Sequence, residues 1–465
     1  MAGGTDFLQL DAGGAPRGGL TAWLTDALRS AAADGRLRVG DRLPSSRLLA
    51  TDLGVSRGVV VAAYQRLVDE GVAVADGARG TVVAVAPHRS PPPPPPTAPT
   101  GADFDLSPGV PDLSAFPRTA WLRAERAVLA SAGPADLGYG DPQGNPVLRA
   151  VLARWLRRVR GVRAEAEDIV VVAGVAQAIA LVAQVLRNRG ADSVAVEDPG
   201  SRGAHDELAH WGLTPVPVPV DGEGIDVAAL ARTGESVVLV TPAHHFPTGV
   251  VLAPGRRREL LAPSTGVELV VEDDYDAEHR YDRAPVPALQ AMAPDRVVHT
   301  GSVSKTLAPA MRLGWMIVPA RLRTEVVTQK YMSDLGNAAL PQLVLAELME
   351  SGELERHLRR VRARQRRRRD AMLGALTEHL PGATVHGVAA GLHLMVTFPE
   401  RPGAARLDDV ALAERARAAG VVVHPLSRHR WSEGPGGLVL GYAAHPPDRI
   451  RAAIARLGRS LPGPR

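Results

Sequence analysis

A chain of 465 residues, 45% of them apolar, is too long for one hydrophobic core and predicts two or three domains. A formal charge of +4 spread over that length is too weak a field to identify a partner by itself. The absence of cysteine excludes disulfides, thiolate metal sites and cysteine nucleophiles. No apolar run is long enough for a membrane span, and the start MAGGTDFLQLDAGG lacks a basic flank followed by an apolar stretch, so no signal peptide is expected and the predicted location is cytoplasmic.

From the N-terminus, Leu20, Trp23, Leu24, Ala27 and Leu28 recur at helical spacing. LPSSRLLATDLG then holds a short helix that starts near Ser45 and is stopped by Gly54, and Ser56 is placed to cap a third helix with Val60, Tyr64 and Leu67 on its buried stripe. Valine-rich segments at 72–74 and 81–85 flank ADGARG and read as a hairpin. Three helices and a hairpin make a winged helix-turn-helix. In that motif the second helix of the pair enters the major groove by its N-terminal end. Ser56 and Arg57 are thus expected to face double-stranded DNA, Arg47 to meet a phosphate, and Arg79 in the wing to approach the minor groove beside Gly77 and Gly80. A packing or dimerisation domain with solvated arginines gives the same pattern.

Residues 88–102, HRSPPPPPPTAPTGA, contain six consecutive prolines. Polyproline II advances about 3.1 Å per residue, so this segment reads as a semi-rigid linker spanning roughly 20 to 40 Å. The division expected is a DNA-binding domain at 1–87, a linker at 88–103 and a second domain at 104–465. Beyond the linker DIVVVAG, SVAVEDPG, SVVLVTPAHH, VELVVEDDYD and DRVVHTGSVSK alternate with amphipathic stretches. Such runs read as buried parallel strands of an α/β domain, with ligand chemistry at their carboxyl ends. No G-x-G-x-x-G or P-loop is present.

GSVSKTLAPAMRLGW places Lys305, one of only two lysines in an arginine-rich chain, at the end of such a strand. A lysine amine forms a Schiff base once burial lowers its pKa; a guanidinium does not. Pyridoxal 5'-phosphate is the commonest partner of such a lysine. It also requires a carboxylate for its pyridine nitrogen, a donor for its phenolic oxygen, and a hydroxyl with an arginine for its phosphate. Asp273 and Tyr275, two apart, share a face if the strand persists that far; Ser302 and Ser304 precede the lysine and Arg312 follows it by seven residues.

GRLRVGDRLPSSRLLATDLGVSRGVVVAAYQRLVDEG resembles the DNA-binding domain of the GntR family of bacterial regulators, with Gly58 and Val59 where that family often has polar residues. Residues 104–460 resemble fold type I aminotransferases of classes I and II, which carry a smaller C-terminal α+β subdomain. That resemblance implies that Lys305 forms the internal aldimine, Asp273 pairs with the pyridine nitrogen, Tyr275 contacts the phenolic oxygen, and Ser302 with Arg312 grips the phosphate. It also implies that the VVAGVAQA loop, centred on Gly174, cradles the phosphate, and that Tyr139 in LGYGDPQGNPVLR reaches the phosphate of a second subunit. The combination resembles the MocR family of regulators, including its branch that controls vitamin B6 synthesis, through TPAHHFPTGVVL, VEDDYDAEHRYDR and GSVSKTLAPAMRLGW. The expected function is a homodimeric, cofactor-responsive DNA-binding regulator, with pyridoxal phosphate or its amino-acid adduct as effector. The alternative is an aminotransferase that retains turnover.

Three departures from the aminotransferase pattern predict weak or absent turnover. Phe246 replaces the amide of Asn-Pro-x-Gly, Ser201 replaces the ring-stacking aromatic, and Val439 replaces the arginine that binds a substrate carboxylate. The run 355–370, ERHLRRVRARQRRRRD, reads as the solvated face of a long helix, with a nucleic-acid surface as the other reading. His244, His245 and His279 read as pocket residues rather than metal ligands, because the sequence offers no evident third ligand.

Overall fold

The computed structural model describes residues 10, 12, 15–16, 18–77, 80–85, 103–281, 286–387, 389–398 and 407–460. It divides into two compact units, Met1–Ala98 and Pro99–Arg465. Most of the expected linker, including the proline run, lies outside the described residues, as does Arg79.

In the first unit helices α1 (Leu20–Ala33), α2 (Ser46–Leu53) and α3 (Arg57–Asp69) precede strands β1 (Ala73–Ala75) and β2 (Thr81–Val83), which pair antiparallel. The Ser45 side chain caps α2 by accepting from the Leu48 N–H, and Gly54 ends it in the left-handed conformation, φ 63°. Ser56 caps α3 by accepting from the Val59 N–H. Leu24, Leu28, Leu49, Val60 and Leu67 form the core, and the Tyr64 hydroxyl, donating to the Pro44 carbonyl at 2.8 Å, ties α3 to the start of α2. The expected winged helix-turn-helix is what the chain forms.

The second unit opens with β3 (Phe104–Asp105), α4 (Arg118–Ser131), α5 (Pro146–Arg160), β4 (Ile169–Val172), α6 (Val175–Asn188), β5 (Ser193–Asp198), α7 (Arg202–His210), β6 (Thr214–Asp221) and β7 (Gly224–Ile225). It continues through α8 (Val227–Thr233), β8 (Val237–Val240), α9 (Pro254–Leu260), β9 (Leu269–Asp273), β10 (Val297–Ser302), β11 (Gly314–Ile317), α10 (Ala320–Asp334), α11 (Ala339–Glu350) and α12 (Glu353–His379). It ends with β12 (Thr384–His386), β13 (His393–Thr397), α13 (Asp409–Ala418), β14 (Val421–Val422), β15 (His424–Pro425), β16 (Gly437–Gly441) and α14 (Pro447–Ser460).

Eight strands form one sheet in the order β4-β11-β10-β9-β8-β5-β6-β7. Along β4, Val170 and Val172 face one apolar core while Ile169 and Val171 face the other, so an unbroken run of β-branched residues is what a sheet covered on both faces requires. The sheet is not wholly parallel, as the strand runs led us to expect. β11 lies antiparallel between β10 and β4, because the lysine loop turns the chain straight back so that Ser302 pairs with Gly314. A second sheet, β12-β13-β16-β15, carries α12 and α14 and forms the smaller C-terminal layer.

The arginine run lies in α12, where Leu354, Leu358, Val361 and Met372 are buried and Arg359, Arg360, Arg366 and Arg367 are exposed, the solvated-face arrangement. Among the described residues no helix is long and apolar enough to cross a membrane.

One buried ion pair fixes the chain just past β9. Arg160, at the end of α5, donates Nε and Nη2 to the two carboxylate oxygens of Asp274 at 2.6 and 3.0 Å. Breaking a buried pair strands a charge. Asp274→Ala is therefore expected to cost about 3 to 5 kcal/mol in chemical denaturation.

Candidate cofactor and DNA sites

Lys305 sits in the turn after β10, half-buried, with Nζ donating to the Gly109 carbonyl at 2.7 Å. Burial lowers its pKa, and the nearby charges of Asp276 and Asp273 oppose that shift. Gly109 is favoured by its backbone, φ +81°, and a Cβ there would also crowd Nζ at 3.2 Å. Nothing in SPGVPDLS pointed to that role.

Asp273 is the last residue of β9, and its Oδ1 is buried without a hydrogen-bond partner among the described residues. Burial, helped by the charges of Asp274 and Asp276, pushes its pKa up to about 7. A buried carboxylate with an open lone pair suits a protonated pyridine nitrogen. Tyr275 reaches the same region by a different route from the one expected. The strand stops at Asp273, so the two do not alternate along one strand face; a bend carries Tyr275 back, and its hydroxyl lies 3.2 Å from His244 Nδ1.

At the other end Gly174 caps α6 with φ 103°, and the guanidinium of Arg312 lies 3.4 to 3.7 Å from where a Gly174 Cβ would be. A Cβ on Gly314 would come within 3.0 Å of the Gly174 Cα and 3.2 Å of the Ser302 Cβ. Gly174, Ser302, Arg312 and Gly314 thus converge at a helix N-terminus, where unpaired N–H groups and the dipole favour an anion. Arg312 takes φ 47°, rare for a residue with a side chain, to aim there. The Ser304 N–H donates to Ser302 Oγ at 3.3 Å, which orients that hydroxyl. Open carboxylate, half-buried amine and cradle fit pyridoxal phosphate. Tyr139 is 86% exposed.

The histidines differ. His279 Nε2 is 3.2 Å from the Lys305 carbonyl oxygen and fixes the lysine's backbone, and burial drops its pKa to about 4. Burial takes His245 to about 3; its Nδ1 is 2.6 Å from Thr248 Oγ1. For His244 the expected lack of a third ligand does not hold. One donor atom from each of His244, Asp276 and His393 lies within 4.8 Å of the others. His393, 149 positions further along the sequence, is brought in by β13.

The three departures have structural counterparts. Ser201 caps α7, accepting from the Ala204 N–H. Val439 is fully buried with Met395 and Leu426 against Phe246, an apolar cluster with no place for a carboxylate. Phe246 packs at a tilt against the ring of His393 and edge-on against that of His429, and its side chain offers no donor.

In the first unit Arg47 and Arg57 are exposed, with Arg57 Nε donating to Ser46 Oγ at 3.1 Å, and the Ser56 hydroxyl is engaged as the α3 cap. Gly80 holds φ +107° beside Arg42.

Residues 103–457 match the aminotransferase class I and II family, and residues 20–83 match the gntR family of bacterial regulatory proteins. The chain is 34% identical to the HTH-type pyridoxine biosynthesis transcriptional regulator PdxR of Corynebacterium glutamicum, over 94% of this chain and 95% of that protein. It is 31% identical to the "Probable rhizopine catabolism regulatory protein MocR" of Rhizobium meliloti, over 93% and 92%. The fold is similar to that of a multiple substrate aminotransferase from Thermococcus profundus, with TM-score 0.70, 27% identity, and 78% and 92% of the two chains covered. It is also similar to the alpha-aminoadipate aminotransferase LysN from Thermus thermophilus complexed with phosphopyridoxyl-leucine, at TM-score 0.69, 27% identity, and 78% and 92% coverage.

Proposed function

Because the chain belongs to the aminotransferase class I and II family and, like the MocR and PdxR regulators, joins that domain to a GntR-type DNA-binding head, we propose that it is a transcription regulator whose effector is pyridoxal phosphate held on Lys305. The observation that carries this reading is the half-buried amine of Lys305, flanked by the open Asp273 carboxylate and the Gly174–Ser302–Arg312 cradle. When bound, the cofactor supplies an aldehyde for the amine and an electron-poor ring. The chain's residues do the rest. Burial keeps a larger fraction of Lys305 neutral, and the Gly109 carbonyl orients it. Asp273 balances the ring nitrogen, and Arg312 with the first turn of α6 takes the phosphate.

The domain boundaries that go with this reading are a head at 1–87, a linker at 88–103 and a body at 104–465. The exposed Tyr139 supports a homodimer in which it completes the partner's phosphate site, and paired heads suit a repeated DNA half-site. The whole-length similarity to PdxR supports vitamin B6 biosynthesis genes as targets, in a cytoplasmic protein, with the cofactor or its amino-acid adduct as the signal. The apolar surroundings of Val439 count against amino-acid turnover.

A ligand shifts DNA binding only through its different affinities for two arrangements of the protein. Fluorescence polarisation with DNA from upstream of the chain's own gene is expected to show a 5- to 150-fold change in affinity, about 1 to 3 kcal/mol, on adding pyridoxal phosphate. Equal affinity with and without it, or rapid multiple-turnover transamination, would remove the regulator reading.

A further inference from the structure

His244, Asp276 and Tyr275 form a closed trio next to Lys305. His244 Nδ1 is 2.9 Å from Asp276 Oδ2 and 3.2 Å from the Tyr275 hydroxyl, and His244 and Asp276 are almost completely buried. The arrangement is built in from several directions. A Cβ on Gly391 would lie 2.0 Å from His244 Cε1 and 2.8 Å from Asp276 Oδ2, so only glycine leaves room for the pair. The His393 ring stands 5.2 Å from that of His244, and its Nε2 lies 3.2 Å from the Pro247 carbonyl oxygen, which holds the ring as a wall. The other titratable groups facing the trio are Asp273, Lys305, His245, Glu278, His279, His393, Tyr281 and Tyr442.

The chemistry turns on where the tyrosine proton goes. Asp276 shares the His244 Nδ1 with the tyrosine hydroxyl and competes for its proton, because a carboxylate is a stronger acceptor than a neutral oxygen. His244 Nδ1, 2.9 Å from Asp276 Oδ2, is placed to donate to the carboxylate, and a donor at that distance favours its ionised form. An ionised Asp276 keeps the proton of His244 on Nδ1. That N–H then serves the carboxylate, and it also faces the oxygen of the tyrosine.

We propose that His244 and Asp276 are positioning residues for Tyr275. His244 satisfies the Asp276 carboxylate, and the Tyr275 proton is thereby released for donation into the pocket, to the phenolic oxygen of the cofactor. The pair does the work of the amide that Phe246 does not supply. This rests on the cofactor reading above, because it assigns Tyr275 as the donor to that oxygen.

The test is the pH midpoint at which the visible absorbance of the lysine-bound cofactor changes form, with cofactor affinity as a second readout. A donor to the phenolic oxygen stabilises its anionic form, so losing the donor raises the midpoint. Tyr275→Phe is expected to raise it by about one pH unit, roughly tenfold in the acid constant. His244→Phe, or His244→Leu where the larger ring does not fit, is expected to raise it in the same direction and weaken cofactor binding several-fold. His244→Asn, whose amide N–H can stand in for Nδ1–H, restores most of the wild-type midpoint. The double variant His244→Phe/Tyr275→Phe moves no further than Tyr275→Phe alone. An unchanged midpoint in the His244 variants, additive shifts in the double variant, or a stoichiometric transition metal on His244, Asp276 and His393 would each overturn the proposal. A wild-type protein with no lysine-bound cofactor spectrum would instead overturn the cofactor reading, and this inference with it.

Discussion

Lys305→Ala is expected to lose the absorbance band of the lysine-bound cofactor completely and to weaken cofactor binding by on the order of 100-fold, about 2.7 kcal/mol. Lys305→Arg should fail equally, although it preserves charge, because a guanidinium stays protonated and is a poor nucleophile. Remaining affinity would come from the parts of the site that do not depend on the amine: the N-terminus of α6, Arg312, Ser302 and Asp273. Absorbance spectroscopy and equilibrium titration separate the two losses. If the proposed effector role holds, the same variant is expected to bind DNA with an affinity that no longer responds to the cofactor, because the bond that holds the cofactor in the site is gone.

Arg57→Ala and Arg47→Ala should each weaken DNA binding by roughly tenfold at moderate salt and lower the slope of log affinity against log salt by about 0.9 per lost phosphate contact. The salt slope distinguishes a phosphate contact from a packing defect, which would shift affinity and leave the slope intact. Ser56→Ala is expected to act through α3 itself, costing about 1 kcal/mol of stability from the lost cap. Polarisation at three salt concentrations, with thermal unfolding in parallel, checks both expectations.

The readable parts of the sequence were those in which the chemistry is local. The head followed from Ser45, Gly54 and Ser56, each of which marks a helix end through its own cap. The buried strands followed from β-branched runs that have no solvent face, and the lysine site from residue types that only one cofactor needs together. What escaped was set by distance along the chain. β11 hid inside the lysine motif because a four-residue strand, GWMI, carries no signal that separates antiparallel from parallel pairing. Tyr275 shares a strand face with Asp273 only if the strand runs on, and it ends two residues before Tyr275; the Asp274 between them is held by Arg160, a contact spanning 114 positions. His393 and Gly109 enter the site from elements far away in sequence, and no local pattern announces either. A histidine at the start of a strand reads as an ordinary polar residue until the fold sets it against His244.

Borohydride reduction of the protein purified with pyridoxal phosphate, followed by peptide mass spectrometry, shows whether the cofactor is bonded to Lys305. The chain has one other lysine, Lys330, and the fold locks its Nζ onto Asp334 at 2.9 Å and Gln177 at 3.3 Å. A single pyridoxyl adduct is expected, on the peptide containing Lys305, with Lys330 unmodified. An adduct on Lys330, or none on Lys305 in folded protein saturated with cofactor, would contradict it.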